Sequence, residues 1–264
     1  MYETHYHRAA SIKDAVKLLA SAEDAKAVSG GQTLIATMKQ RLASPANLVD
    51  LRHIAELKGI TITGSTITIG AGTTHAEVAN HAGLKKACAG LAELASHIGD
   101  PHVRHMGTIG GSVANNDPAA DYPSAMLALN ATIHTNKRKV TADKFFTGMF
   151  DTALKDGEII TGVSFEKPAK AAYAKFPNPA SRYALAGVFV AKHKDGVRVA
   201  ITGAGSNGVF RHKGMETALN AKFSAEAVAG VSIESKGLLG DMHASPEYRA
   251  ALIKAMAKRA VLAA

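Results

Sequence analysis

The spacing of hydrophobic residues over the first 56 positions predicts a small unit of alternating helices and strands. Apolar residues three or four positions apart predict one helix over 11–21, capped by Ser11, and a second over 33–42. Short apolar runs predict strands over 25–29 and 47–51. We therefore expect a compact βα-type subdomain over about residues 1–56.

The pattern changes after this unit. Residues 60–73 alternate β-branched and small positions around Gly64-Ser65, which predicts a hairpin. Helices are predicted from Thr74 to Ala82 and over 84–98, a helix end and strand over 127–136, and a strand over 159–165. The segment 99–123 is rich in Gly, Asp, Pro and Asn and lacks periodicity, so we expect it to be irregular and functional. The second subdomain should then cover about residues 57–166.

A third region follows a stretch without apolar periodicity. Residues 166–180 contain three prolines, which predicts a domain boundary near 166–170. Strands are predicted over 184–193 and 196–203, with a turn at Lys194-Asp195, and helices over 214–221 and 246–264. This pattern indicates a C-terminal domain over 167–264 with an antiparallel sheet.

The amino-acid composition excludes several classes of protein. The 264 residues include a single cysteine, Cys88, so the chain has no internal disulfide and no cysteine cluster for zinc or iron–sulfur. The net charge of +9 is dispersed, without the basic stripe typical of nucleic-acid binding, and favours anionic ligands or partners. No window approaches a membrane span and no signal peptide is visible, so we expect a cytoplasmic protein.

Two glycine motifs carry the strongest indication of chemistry. SGGQTL, Ser29–Leu34, runs from a predicted strand through two glycines to a helix start, a pattern that suits a pyrophosphate. Taken alone, it is more often a plain strand-to-helix turn. GTIGGSVANNDPAAD, Gly107–Asp121, adds a second Gly-Gly beside a hydroxyl residue and two carboxylates, Asp117 and Asp121, that could accept from ribityl or ribose hydroxyls. The combination favours a ligand site.

Two further patterns are weaker. GAGSNG, Gly203–Gly208, fits GxGxxG, but the residues after it begin no helix, so we expect a turn and no Rossmann fold. His97, Asp100, His102 and His105 cluster in sequence, but they span a helix end and a proline turn. We therefore expect no metal site and no catalytic side chain of the acid–base kind.

The segments 29–42 and 98–129 closely resemble the FAD-binding medium subunit of molybdenum hydroxylases, the carbon monoxide dehydrogenase and xanthine dehydrogenase family. Residues 203–211 and 241–261 resemble the C-terminal domain of the same subunit. The resemblance implies an α+β fold: a two-subdomain FAD-binding domain of vanillyl-alcohol-oxidase-like type, followed by a small C-terminal domain with a three-stranded antiparallel sheet and helices.

The resemblance also implies the cofactor site, with the FAD pyrophosphate between the two glycine motifs. Asp121 would hold a hydroxyl of FAD, Ile160 would pack near the isoalloxazine, Lys175 would lie near its polar edge, and Tyr183 would approach the ring. His105-Met106 stands where Asn-Arg is more usual, which removes one cation near the phosphates. The implied cofactor-binding residues are Ser29, Gly30, Gly31, Gln32, Thr33, Leu34, Thr108, Ile109, Gly110, Gly111, Ser112, Asp121, Ile160 and Lys175.

The function implied is electron relay. A large molybdenum-cofactor subunit and a small subunit with two-iron two-sulfur clusters are the expected partners, as a dimer of heterotrimers, and FAD would pass their electrons to an external acceptor. Two alternatives stay open: a flavin-free binding or assembly module with the same fold, and a standalone flavoprotein oxidase. The intact glycine motifs disfavour the first, and the absence of a candidate catalytic base disfavours the second.

Overall fold

A computed structural model describes all residues from 1 to 264 and shows an α+β architecture. The N-terminal elements form a three-stranded parallel sheet in the order β1-β3-β2, flanked by two helices. Ser11 caps the first helix through Asp14 N–H, as its sequence position predicted. In chain order these elements are β1 (His5–Arg8), α1 (Ile12–Ser21), β2 (Ala25–Val28), α2 (Leu34–Lys39) and β3 (Asn47–Asp50), followed by a 3-10 turn, Ala55–Leu57.

The middle of the chain builds a five-stranded antiparallel sheet in the order β4-β5-β10-β6-β7, covered by short helices. Its elements are β4 (Ile60–Thr63), β5 (Thr66–Gly70), α3 (His75–Asn80), α4 (Ala82–Ala87), α5 (Ala89–Ser96), α6 (Pro101–Met106), α7 (Ile109–Asn115), α8 (Tyr122–Ala128), β6 (Thr132–Thr135), β7 (Lys139–Thr141), α9 (Ala142–Phe145), β8 (Phe146–Gly148), β9 (Asp151–Thr152) and β10 (Ile160–Glu166). Strands β8 and β9 form a separate two-stranded hairpin.

The C-terminal part is an antiparallel sheet in the order β11-β12-β13-β14, packed against the long terminal helix. Its elements are β11 (Lys170–Pro177), β12 (Ala184–His193), β13 (Gly196–Thr202), β14 (Phe210–Arg211), α10 (Lys213–Ala221), α11 (Ala225–Ala229) and α12 (Pro246–Ala263). The sheet has four strands instead of the expected three because the two-residue β14 pairs with Ala200 and Ile201.

The hydrophobic cores show how the regions join. A core of 30 buried residues spans the five-stranded sheet and its helices and also takes in Tyr173, Phe189, Ala191 and Ala200 from the C-terminal sheet. A second core of 17 residues fills the space between that sheet and α12, and smaller cores lie around the N-terminal sheet. One face of the C-terminal sheet is therefore part of the central core.

Several elements differ from the sequence-based expectation. The helix expected over 84–98 is two helices, because Cys88 adopts φ −154° and ψ 75° between them. The segment 99–123, expected to be irregular, contains α6, α7 and the first two residues of α8. Strands β1 and β11 and helix α11 were not expected at all. No helix combines the length and the hydrophobicity that crossing a membrane requires.

Candidate functional site

A cavity of about 640 Å³ lies where the N-terminal sheet, the five-stranded sheet and the segment before β12 meet. This volume is in the range of small-molecule sites. Both glycine motifs face it. The predicted site residues that line it are Ser29, Gly30, Gly31, Gln32, Thr33, Leu34, Thr108, Gly110, Gly111, Ser112, Asp121 and Ile160.

The first glycine motif presents free backbone donors to this cavity. Strand β2 ends at Val28 and α2 begins at Leu34, and Gly31 between them has φ +71°, a conformation that favours glycine. The N–H groups of residues 30–34 make no hydrogen bond to any other group of the chain. Five consecutive unpaired donors beside a cavity form a concave surface that suits an anion.

The two motifs are held together by direct contact. A Cβ on Gly30 would lie 2.2 Å from the Met106 carbonyl oxygen and 2.5 Å from Gly107 Cα, so the backbones touch there. The Ser29 and Thr108 hydroxyls are hydrogen-bonded at 3.0 Å. The sequence-based expectation that the motifs face one another therefore agrees with the geometry.

The second motif differs from the first because its backbone donors are already used. Thr108 caps α7 by accepting from Gly111 N–H at 3.1 Å, and Gly110 N–H donates to the Ala71 carbonyl at 2.8 Å. Ser112 N–H donates to the Thr108 carbonyl. A Cβ on Gly111 would meet nothing closer than the Thr108 hydroxyl, at 3.0 Å, which leaves its surface open to the cavity. This motif offers close approach and hydroxyls, whereas the first offers N–H groups.

Asp121 lies at the wall of the cavity in a buried cluster. Its carboxylate accepts from Lys175 Nζ at 3.0 Å and from the Tyr173 hydroxyl. Burial raises the pKa of Asp121, and the Lys175 ammonium and the Tyr173 hydroxyl oppose that rise. Lys175 Nζ also donates to the His97 carbonyl. Its side chain is only 2% exposed.

Two predicted site residues do not reach the cavity surface. Lys175 was expected beside the flavin ring, but its charge is used by the Asp121 carboxylate behind the wall. Ile109 is fully buried in the central core, since the side chain at the first position of α7 points away from the cavity. Tyr183, expected to approach the flavin ring, lies in the lining of the cavity and is 43% exposed.

Other lining residues were missed by the sequence analysis. His75, at the start of α3, is 5% exposed, its Nδ1 has no partner, and burial lowers its pKa to about 4. Arg182 and Lys26 bring cations to the cavity, and Glu158 lies in its wall paired with Arg138 at 2.8 Å. No local motif marks these residues, because they come from four separate parts of the chain.

The residues of the two weaker sequence patterns lie in ordinary structural contacts and turns. His97 pairs with Glu93 at 2.9 Å, Asp100 caps α6 through Val103 N–H, and His105 Nδ1 lies 2.7 Å from the Pro101 carbonyl. No group of three or more potential ligands is arranged for a metal ion. GAGSNG forms a loop between β13 and β14, as expected for a turn.

The geometry fits a flavin dinucleotide in three respects. The unpaired N–H row suits a pyrophosphate, the open face of Gly111 allows close approach, and the cavity also has apolar walls, among them Leu57, Leu154 and Ile160. The cavity thus combines an anion-binding backbone row with apolar walls.

Comparison with known proteins gives the family. A family model described as "FAD binding domain in molybdopterin dehydrogenase" matches residues 2–168. The nicotine 6-hydroxylase medium subunit of Paenarthrobacter nicotinovorans is 33% identical, covering 98% of this chain and 96% of that protein. The carbon monoxide dehydrogenase medium chain of Hydrogenophaga pseudoflava is 34% identical over the same shares of each chain.

Solved structures match this chain over its whole length. Carbon monoxide dehydrogenase from Hydrogenophaga pseudoflava superposes with a TM-score of 0.89 at 33% identity, over 100% of this chain and 97% of that chain. Reconstituted CO dehydrogenase from Oligotropha carboxidovorans superposes with a TM-score of 0.90 at 31% identity, over 100% of this chain and 99% of that chain. The chain therefore belongs to the family of FAD binding domains in molybdopterin dehydrogenases.

Proposed function

We propose that this chain is the FAD-binding subunit of a molybdenum-containing hydroxylase or dehydrogenase. The observation that carries the proposal is the row of unpaired N–H groups at residues 30–34, which lies against the second glycine motif inside one cavity. The family match and the medium chains of multi-subunit enzymes among its relatives support the same function.

Bound FAD would accept electrons from iron–sulfur clusters and deliver them to an external acceptor. The residues of this chain bind and orient the cofactor. The N–H groups of Gly30–Leu34 and the hydroxyls of Thr108 and Ser112 would hold the pyrophosphate, and Gly111 would let it approach. Asp121, fixed by Lys175, would accept from a hydroxyl of FAD. Ile160 would pack against a flat end of the cofactor, while Lys175 acts only through Asp121.

The finer organisation belongs to the same proposal. We place two subdomains of vanillyl-alcohol-oxidase-like type at about residues 1–56 and 57–166, and a C-terminal domain at 167–264. The separate N-terminal, five-stranded and C-terminal sheets support these bounds. A large molybdenum-cofactor subunit and a small iron–sulfur subunit would complete a dimer of heterotrimers in the cytoplasm, with the molybdenum cofactor and the iron–sulfur clusters in those partners.

The test is the flavin content of the purified chain and of two glycine variants. The parent should carry FAD, identified after denaturation, and Gly111→Val should lose it because the new side chain fills the open face of the cavity. Gly230→Val is the matched control, since a Cβ there meets nothing closer than 4.0 Å and Gly230 does not line the cavity. Normal flavin in folded Gly111→Val would contradict the placement of the site. A parent that neither carries nor takes up FAD would contradict the function.

Copurification tests the partners. Expressed with the neighbouring genes, the chain should bring down proteins with iron–sulfur absorbance, and dithionite should bleach both chromophores. A flavin-loaded chain that stays alone under these conditions and oxidises substrates itself would favour the standalone oxidase.

A further inference from the structure

Two of the three carboxylates that line the cavity are neutralised by cations. The Asp121 carboxylate is paired with Lys175 and Glu158 with Arg138. The third, Asp117, makes no ion pair: it accepts from Ala119 N–H at 2.8 Å, and burial raises its pKa. His75 is neutral near pH 7, because burial lowers its pKa to about 4. The lining cations without an ion-pair partner are Lys26 and Arg182. These are the two cations of the lining that are available to a bound anion.

The two cations lie on different walls. Lys26 is on β2, the strand that leads into the first glycine motif. Arg182 precedes β12, next to the exposed ring of Tyr183, and its Nη1 lies 3.3 Å from the Gly99 carbonyl. Arg104 Nη1 donates to the same carbonyl at 3.1 Å. The Asp100 carboxylate caps α6 through Val103 N–H, and this hydrogen bond together with nearby charges, Arg182 among them, lowers its pKa. It makes no ion pair with either guanidinium.

Arg182 is held at this position by a turn over residues 178–183. Its φ of +63° is rare for a residue with a long side chain. Asn178, which is 8% exposed, fixes the turn. Its Oδ1 accepts from Ala180 N–H and Ser181 N–H, and its carbonyl oxygen accepts from Arg182 N–H at 2.8 Å. A strained backbone that the surroundings hold in place is a common feature of functional positions.

The position of the turn distinguishes the roles of the two cations. Lys26 is on the strand that leads to the N–H row, where the pyrophosphate would lie. Arg182 precedes Tyr183 and donates to the carbonyl of Gly99, which follows Ile98. All of these residues line the cavity, and Tyr183 and Ile98 give an aromatic and an apolar surface suited to a flat ring. We propose, resting on the function above, that Arg182 is the cation that acts on the isoalloxazine and stabilises its reduced, negatively charged form.

The physical consequence is a difference in affinity between the two redox states. Reduced flavin carries one more negative charge on the ring at neutral pH, so a nearby cation stabilises it more than oxidised flavin. Because Arg182 is exposed, solvent screening limits the effect, and we expect a factor of about ten in the ratio of the two affinities. For a two-electron couple this ratio is about 30 mV of reduction potential.

The experiment measures the midpoint potential and the FAD content of four forms of the full chain: the parent, Arg182→Gln, Arg182→Lys and Lys26→Gln. Arg182→Gln should keep FAD and shift the affinity ratio about tenfold toward the oxidised form, which makes the potential more negative. Arg182→Lys keeps the charge and should stay within about threefold of the parent. Lys26→Gln should weaken both redox states alike and leave the potential unchanged.

Each result decides a separate point. A flavin-loaded Arg182→Gln with the parent's potential overturns the role of Arg182 and leaves the proposed function intact. An equal shift in Lys26→Gln overturns it too, because the effect would then be general electrostatics of the cavity. A parent that binds no FAD overturns the proposed function itself. The difference in midpoint potential between the parent and Arg182→Gln should also shrink as salt is added.

Discussion

At the scale of single residues, the glycines of the two motifs have different tasks. Gly30 lies against the Met106 carbonyl and Gly107 Cα, so its missing side chain permits packing inside the protein. Gly111 lines the cavity, and a Cβ added there would meet only the Thr108 hydroxyl. We therefore expect the first glycine to serve the fold and the second to serve the ligand, although the sequence shows both as the same Gly-Gly pattern.

This difference predicts opposite outcomes for two matched substitutions. Gly30→Ala should lower the free energy of unfolding by about 2–4 kcal/mol, because its Cβ would overlap backbone atoms that cannot move aside alone. Gly111→Ala should cost under about 1 kcal/mol but weaken FAD binding. Urea unfolding without cofactor and FAD titration separate the effects. Equal loss of stability in both variants would contradict the assignment.

His75 gives the chain a pH dependence of its own. Burial lowers its pKa to about 4 in the folded state, from 6.5 in the unfolded chain. As the pH falls below 6.5, the unfolded chain therefore takes up a proton on this imidazole before the folded protein does. Stability therefore falls as pH drops from 6.5 to 4, by up to about 3 kcal/mol, and His75 contributes no further change below that range. Its Nδ1 has no partner and its ring packs 5.4 Å from that of Tyr122.

Replacing this histidine should flatten the pH dependence. His75→Leu removes the group that titrates, so the slope of unfolding free energy between pH 4 and 6.5 should decrease, whatever the variant's stability at pH 7. Urea titrations at pH 4.5, 5.5 and 7 measure it, with His105→Leu, an exposed histidine, as control. An unchanged slope in His75→Leu would show that this imidazole is not the group responsible.

At the scale of elements, the sequence predicted long, periodic units and missed short ones. The hairpin over 60–73 and helix α1 were predicted because alternation and a Ser11 cap are local signals. Helices α6, α7 and α8 have six or seven residues, too few to show a period, and follow the N-cap residues Asp100, Thr108 and Asp121. Strand β11 was missed because its alternation of Ala with Tyr, Lys and Phe lies between prolines.

The hairpin β8–β9 depends on one side chain from the second motif. Asn116, at φ +44°, donates from Nδ2 to the Gly148 and Asp151 carbonyls, both at 2.8 Å, and its carbonyl accepts from Phe150 N–H. Asn116→Gly keeps the backbone conformation and removes these bonds, so the hairpin should open locally. Chymotrypsin should then cleave after Phe150, which is 57% exposed, at least tenfold faster than in the parent.

The control for this prediction is Asn207→Gly, in the loop that approaches Gly148 from the other side. Its side chain makes no hydrogen bond, so cleavage should stay near the parental rate. Cleavage of Asn116→Gly at the parental rate would show that the strand pairing alone holds the hairpin.

Lys175 joins strand β11 to the start of α8, and its loss should be costly. Lys175→Met leaves the buried Asp121 carboxylate without its cation, which should reduce the free energy of unfolding by about 3–5 kcal/mol. Adding Asp121→Asn removes the uncompensated charge and should recover part of that loss. A double-mutant cycle by urea unfolding measures the coupling, and a coupling near zero would contradict the role of the pair.

At the scale of the whole molecule, the cavity depends on parts of the chain far apart in sequence. The resemblance indicated both glycine motifs and Asp121, because these are local patterns. It did not indicate Arg182, Lys26 or His75, which come together only through the packing of the three sheets. The wall that carries Asp121 is also fixed by the C-terminal sheet: Thr202 Oγ1 donates to the Ala120 carbonyl and Gly203 N–H to the Pro118 carbonyl.

Arg249 extends this connection to the terminal helix, and its removal should loosen FAD from a distance. The guanidinium, 2% exposed, donates to the Leu185 and Gly203 carbonyls at 2.6 and 2.7 Å, beside the backbone that holds residues 118–121. Arg249→Met leaves those buried carbonyls unpaired, so FAD should dissociate several-fold faster. Arg198→Met is the matched control, because Arg198 pairs with Asp195 at the opposite end of the same sheet. Stopped-flow release of FAD distinguishes them: equal rates in both variants would mean that only overall stability has changed, whereas a faster rate in Arg249→Met alone makes the C-terminal sheet part of the cofactor site.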